Sequence, residues 1–239
     1  MHHTSFIIEE NERIYWFDAG ENCSRLAFLD GFNMLSINSI FISHPHDDHV
    51  GGLFNLLCLI GQQKWRRSGE PIDGDVRVFV PIEKLWESMD ALMELSGKSS
   101  ATHIEFKPFV LTDGLVFENG DIKVSDLHNE HMGVPADGVW KSYSYLIEVA
   151  GKRIVYSGDI ARLSELDALV GEGCDMLLCE SGHQKVNEIL AYAKEKNIPR
   201  LRFLHHGREI INGRAAAEAL CEEYPWSAVV ASDGMQEEI

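Results

Sequence analysis

The alternation of apolar and polar positions divides the chain into short strand-like runs and longer helical ones. Residues 5–10 and 13–18 read as two strands turned about Asn11-Glu12, and Ala19-Gly20 ends the second. Residues 23–29 suit a short helix, and the β-branched run 37–42 suits a strand. Residues 53–64 carry the apolar content of a buried helix, with Leu53, Phe54, Leu56, Leu57, Leu59 and Ile60. A strand at 76–80 precedes Pro81, which opens a helix to about residue 96; its Ile82, Leu85, Trp86, Met89, Leu92 and Met93 recur at helical spacing, and core packing accounts for them. The middle is β-rich, with strands predicted at 104–109, 115–118, 122–127, 144–149 and 153–156. The last third then alternates: helix 161–169, strand 176–179, helix 184–196, strand 201–204, helix 215–223, strand 228–231. Alternation of this kind places helices over a sheet face, so the expected class is α/β, with helices outside two packed sheets and loops lining one edge.

One stretch stands out from this pattern. Ser43-His44-Pro45-His46-Asp47-Asp48-His49 lies directly after the strand at 37–42 and before Gly51-Gly52. Imidazoles and carboxylates spaced H-x-H-x-D-H cannot all point one way from a strand or a helix, so a loop is the expected carrier. They are the donors that zinc and similar cations prefer, and two close pairs suggest two ions. A chance cluster of histidines is a poor account, because crowding so many polar groups without an ion to neutralise them is costly.

Composition narrows the setting. At 239 residues and 45% hydrophobic content the chain can build one large core, and no linker, charge block or repeat divides it, so a single domain over 1–239 is expected. The five cysteines, Cys23, Cys58, Cys174, Cys179 and Cys221, are scattered and form no C-x-x-C pair, which argues for a reducing cytoplasm over a disulfide framework. No signal-peptide or membrane-spanning segment is evident, and no membrane partner is expected. A formal net charge of −17 repels nucleic-acid phosphates over most of the surface. Lys64-Trp65-Arg66-Arg67 is the one candidate basic patch, and it reads as a solvated helix end, where cations are favoured by the helix dipole.

The residues from Ile40 to Leu53 around the histidine loop resemble the signature of the metallo-β-lactamase superfamily. Trp16-Phe17-Asp18-Ala19-Gly20-Glu21 is similar to the strand and glycine turn that precede that signature in the ribonuclease Z and phosphodiesterase branch, and Tyr156-Ser157-Gly158-Asp159 to its bridging-aspartate motif. The resemblance implies a four-layer αββα sandwich of the metallo-β-lactamase type. It also implies His44, His46 and His131 on one ion, Asp48, His49 and His205 on the other, and Asp159 bridging together with a water. His128 stands close behind His131 as an alternative. Asp159 by itself would read equally well as an ordinary turn or helix cap. A histidine at position 46, where the oxygen-reducing branch typically has a carboxylate, points away from redox use.

Two divalent ions, zinc first and Mn2+ or Fe2+ next, would lower the pKa of a water towards neutrality and clamp an in-line displacement. Asp48, Glu180 and His183 are the expected catalytic groups; the family branch pairs a glutamate and a histidine in the 180–183 region to protonate the leaving oxygen. The reading for Glu180 and His183 as mere supporting or capping groups stays open. The expected activity is that of a metal-dependent phosphodiesterase on a small or cyclic phosphodiester, with a small-molecule substrate favoured over nucleic acid and a homodimer compatible. Ribonuclease Z-like RNA 3′ processing is the first alternative; against it, only Ala150-Gly151-Lys152 separates two strands where such enzymes usually insert a long tRNA-gripping arm. A thioesterase or lactone hydrolase is the second alternative, and a non-enzymatic metal-binding protein the least favoured.

Overall fold

The computed structural model describes residues 3–67, 75–97 and 106–239, with side chains described for all of these except 63–67. The side chains of the Lys64–Arg67 cluster, and residues 104 and 105 of the expected strand, therefore lie outside the described residues. The chain divides into two compact units, 1–111 and 112–239.

The first unit is built on a five-stranded sheet of order β1-β2-β3-β4-β5: Phe6–Glu10, Arg13–Phe17, Ile37–Phe41, Val76–Val80 and Phe106–Val110. The first pair is a hairpin, while β2, β3, β4 and β5 run parallel to one another. Parallel neighbours need crossover connections, and these supply the helices α1 (Cys23–Leu29), α2 (Asp47–Val50), α3 (Leu53–Arg67) and α4 (Glu83–Leu95). Leu53, Leu56, Leu57 and Ile60 of α3 are fully buried at i, i+3, i+4, i+7 spacing, and they pack with Ile14, Trp16, Ile40, Ile42, Val78 and Val80 on one sheet face. The other face carries a phenylalanine ladder, Phe6, Phe17, Phe41, Phe79 and Phe109, with successive ring centroids 4.9, 4.8, 4.7 and 5.1 Å apart. Because β2 and β3 are parallel, Asp18 and Ser43-His44 leave the sheet at the same edge.

The second unit holds a seven-stranded sheet of order β12-β11-β10-β9-β8-β7-β6. In chain order its strands are β6 Gly114–Glu118, β7 Ile122–His128, β8 Tyr143–Val149, β9 Lys152–Tyr156, β10 Met176–Ser181, β11 Arg200–His206 and β12 Ser227–Val230. Strands β6 to β9 form an antiparallel meander, and β9 to β12 run parallel. Helices α5 (Asp167–Val170), α6 (Val186–Glu195) and α7 (Arg208–Glu222) share one core with Val155, Leu177, Cys179, Leu201 and Phe203. The carboxyl ends of β9, β10 and β11 point to one edge, the position at which open α/β sheets present ligand-binding loops. Asp159, Glu180 and His205 stand there.

Several sequence-based expectations are corrected. The helix expected at 161–169 is a 3-10 turn, Leu163–Leu166, running into the short α5. The helix expected from residue 215 begins at Arg208, and a glycine kink at Gly213 (φ −142, ψ 38) interrupts the pattern that would have revealed its first turns. The metal loop is not loop throughout, because Asp48 and His49 sit on the single turn α2.

Candidate metal centre

In the first unit, His44 and His49 are fully buried and Asp48 is partly exposed; one donor atom of each lies within 4.8 Å of the others. His44 Nε2 is 3.1 Å from His46 Nδ1, and His49 Nε2 is 3.9 Å from Asp48 Oδ2. Asp18 holds this cluster from behind. It is buried with φ +53, and its carboxylate accepts the Ser43 backbone N–H at 2.7 Å, the Ser43 hydroxyl at 2.8 Å and His49 Nδ1 at 2.7 Å. A carboxylate facing Nδ1 puts the ring proton there and leaves Nε2, on the Asp48 side, as the basic nitrogen. The indole N–H of Trp16 donates to the Asp18 carbonyl at 2.7 Å, and Ala19 N–H donates to the His49 carbonyl at 2.7 Å, so the turn after β2 is pinned at both ends.

In the second unit, buried Asp159 is the hub. Its carboxylate lies 3.7 Å from His131 Nε2, 3.5 Å from His183 Nδ1 and 3.4 Å from His205 Nδ1. Gly158, at φ +55, takes a left-handed turn that a side-chain-bearing residue would resist. Glu180 is buried beside it: its carboxylate accepts the His183 backbone N–H at 2.8 Å and stands 3.3 Å from His183 Nδ1 and 3.9 Å from His205 Nδ1. Burial opposes ionisation of Glu180, but the bonds from His183 and His205 prevail and hold its carboxyl down to about 2. The same contact raises the pKa of His183, against the partial burial of its ring.

His205 sits in a bulge where the β10–β11 register shifts, at φ +43, a conformation rarely taken by a non-glycine residue. Extended alternation, the sequence-based reason for separating His205 from His206, is therefore not the mechanism. The bulge turns His205 towards Asp159, while His206 Nε2 lies 2.9 Å from the Phe203 carbonyl and its pKa is lowered by burial. Gly182 leaves room for the His205 ring: a Cβ there would lie 2.5 Å from His205 Nδ1. His128 is occupied elsewhere. Its Nδ1 is 2.6 Å from Asp113 and its ring stacks on Trp140 at 3.8 Å, whereas His131 is the histidine of that loop beside Asp159.

The structure thus brings together His44, His46, Asp48 and His49 in one unit, and His131, Asp159, Glu180, His183 and His205 in the other. Buried imidazoles clustered with carboxylates, one imidazole already oriented by a carboxylate on its far nitrogen, fit divalent cations of the zinc type. Sequence reasoning missed the supporting residues Asp18, Ser43 and Gly182; the Trp-Phe-Asp-Ala-Gly turn was the visible trace of the first.

A family model described as anti-Pycsar protein Apyc1 matches residues 1–197. The chain belongs to the Apyc1 family. His205 lies beyond the part that this Apyc1 model matches. Ribonuclease Z of Metallosphaera sedula is 25% identical over 233 residues, covering 79% of this chain and 77% of that protein. Several other ribonuclease Z matches span only 38–40% of the relative's length. Among solved structures, the short form of human tRNase Z superposes with a TM-score of 0.73 at 20% identity, covering 98% of this chain and 91% of that one. A diphosphatase of the PhnP family superposes with a TM-score of 0.71 at 16% identity, covering 99% and 84%. The fold of this Apyc1-family chain is that of the metallo-β-lactamases, and the protein is a metal-dependent hydrolase of that superfamily. No helix among the described residues is long and apolar enough to cross a membrane.

Proposed function

We propose that the protein is a phosphodiesterase acting on a small or cyclic phosphodiester, with His44, His46, Asp48, His49, His131, Asp159 and His205 holding two divalent ions, zinc foremost. Bound there, the ions would supply Lewis acidity to a water and to the phosphoryl oxygens. The chain's own groups supply the rest. Asp18 keeps the His49 proton on Nδ1, and Glu180, with its carboxylate 3.3 Å from Nδ1, favours the protonated form of His183. The His183 ring is half exposed, so its Nε2 proton can pass to the oxygen of a departing alcohol while Glu180 stabilises the charge on the ring. A leaving alkoxide needs that proton and a leaving thiolate does not, so the Glu180–His183 pair supports the phosphodiester reading over the thioester one.

The turn between β8 and β9 supports a small substrate. Only Ala150 and Gly151, at φ +49 and +74, connect these strands, so no arm is inserted there to grip a long RNA. The overall charge of −17 works in the same direction. The test is a panel on metal-reconstituted protein: bis-p-nitrophenyl phosphate, cyclic mononucleotides, a 3′-extended tRNA, thioesters and lactones. Chelator-sensitive turnover of the phosphodiesters is expected; faster cleavage of the tRNA, or of a thioester or lactone, would replace this reading with the corresponding one.

A further inference from the structure

The loop bearing His131 and the turn bearing Asp159 leave different strands, β7 and β9, yet their functional atoms lie 3.7 Å apart. One carboxylate joins the two segments. Glu165, in the 3-10 turn after Asp159, accepts the backbone N–H of Glu130 on Oε1 at 3.1 Å, and on Oε2 those of Ala161 at 3.0 Å and Arg162 at 3.3 Å. Glu130 is the residue before His131, and Ala161 is two residues after Asp159. The Glu165 side chain is only 7% exposed, so water competes little for these bonds. Arg162 closes over the outside, its guanidinium forking onto the Glu130 carboxylate at 2.9 and 2.6 Å. The next peptide is held as well: His131 N–H donates to Asn129 Oδ1 at 3.1 Å, and Asn129 Nδ2 donates to Ser144 Oγ at 3.1 Å.

A nearly buried carboxylate depends on such backbone donors in place of water, and here the donors come from two different loops. Its effect is to fix one loop against the other. We propose that Glu165 is a positioning residue that sets His131 against Asp159, so that metal affinity depends on it although it touches no ion. The inference rests on the proposed ligand roles of His131 and Asp159. Arg162 and Glu130 are more exposed, at 54% and 34% of their side chains, and reinforce the clamp only weakly.

The experiment measures zinc affinity and stoichiometry by competition with a chromophoric chelator, alongside melting of the metal-free protein, for the parent, Glu165→Ala, Glu165→Gln, Arg162→Ala and Asp159→Ala. Supporting groups around metal ligands are worth about 10–100-fold in affinity. Glu165→Ala should lose that much at one ion while still melting cooperatively. Glu165→Gln keeps one acceptor oxygen and turns an NH2 towards the other loop's donors, so it should fall between Ala and the parent. Arg162→Ala should lose less than about threefold, the scale of an exposed ion pair. A folded Glu165→Ala that binds both ions as tightly as the parent, or that loses no more than Arg162→Ala, overturns the proposal. Should Glu165→Ala not fold, Glu165→Gln decides: weakened zinc binding in a normally melting protein supports the clamp, and parental binding overturns it. A parent that binds no zinc, or an Asp159→Ala variant that keeps both ions, overturns the ligand assignment itself and the clamp with it.

Discussion

Replacing Asp18 by Asn isolates the proton arrangement behind the His49 side of the centre. Asn tolerates the left-handed backbone that Asp18 adopts at φ +53, and it has the same shape, so neither strain nor a cavity is introduced. One oxygen can still accept the Ser43 N–H, as Oδ1 does at 2.7 Å. The other oxygen becomes an NH2 facing His49 Nδ1, where 2.7 Å now separates two donors. His49 can resolve the conflict by moving its proton to Nε2, which removes the lone pair on the side of Asp48. The lost charge-assisted bond is worth about 2 kcal/mol to the metal-free protein. For a chain of this size that corresponds to a drop in melting temperature of roughly 4–8 °C. Metal affinity should fall by about 10–100-fold, the usual effect of losing a carboxylate behind a ligating histidine. Chelator competition and calorimetry on the same preparations give both numbers. An Asp18→Asn protein that melts and binds zinc like the parent would refute the argument that Asp18 sets the His49 tautomer.

Two further perturbations separate roles assigned above, and a third probes a buried carboxyl on β7. His183→Ala should keep both ions but slow turnover by about 10²–10⁴-fold on a substrate that releases an alkoxide, with a smaller loss on one releasing p-nitrophenolate; equal losses, or loss of metal, would remove His183 as the acid. His205→Ala should impair zinc binding far more than His206→Ala, because His205 alone of the two stands beside Asp159, and equal effects in the chelator assay would contradict the bulge argument. Asp126 is 2% exposed, and burial, followed by the charge of Asp113, pushes its carboxyl up to about 8. The folded protein therefore keeps a proton that the unfolded chain releases near pH 4, and this group makes stability fall as pH rises from about 4 to about 8. Asp126→Asn should gain stability relative to the parent across that window in melting scans; an unchanged difference between pH 5 and 8 would show that Asp126 does not titrate so high.

Short-range order was legible in the sequence. The strand at 37–42, the helix from residue 53 and the alternation of the last third all come from side-chain periodicity, which depends on neighbours one to four positions away. The histidine loop was legible for a related reason: its donors His44, His46, Asp48 and His49 fall within six positions, so their crowding is visible without a fold. The turns of α7 before Gly213 were missed, because the kink there breaks the periodicity that would have announced its start at Arg208. The 3-10 turn at Leu163–Leu166 was read as helix because Glu165 bonds to residues four and thirty-five positions away, and a local pattern carries no trace of the second.

Where His128 and His131 stand was visible only in the tertiary structure: Asp113, fifteen residues from His128, takes its ring nitrogen, and Asp159 faces His131. Asp18 and His49 are thirty-one residues apart, and the bulge that turns His205 exists only because β10 and β11 pair out of register. The sequence by itself determined which side chains could hold a metal and roughly which elements carry them, because donor chemistry and periodicity are local properties. Which donors face one another, which nitrogen keeps its proton and which histidine is turned away were decided by strand pairing and buried hydrogen bonds between segments distant in the chain.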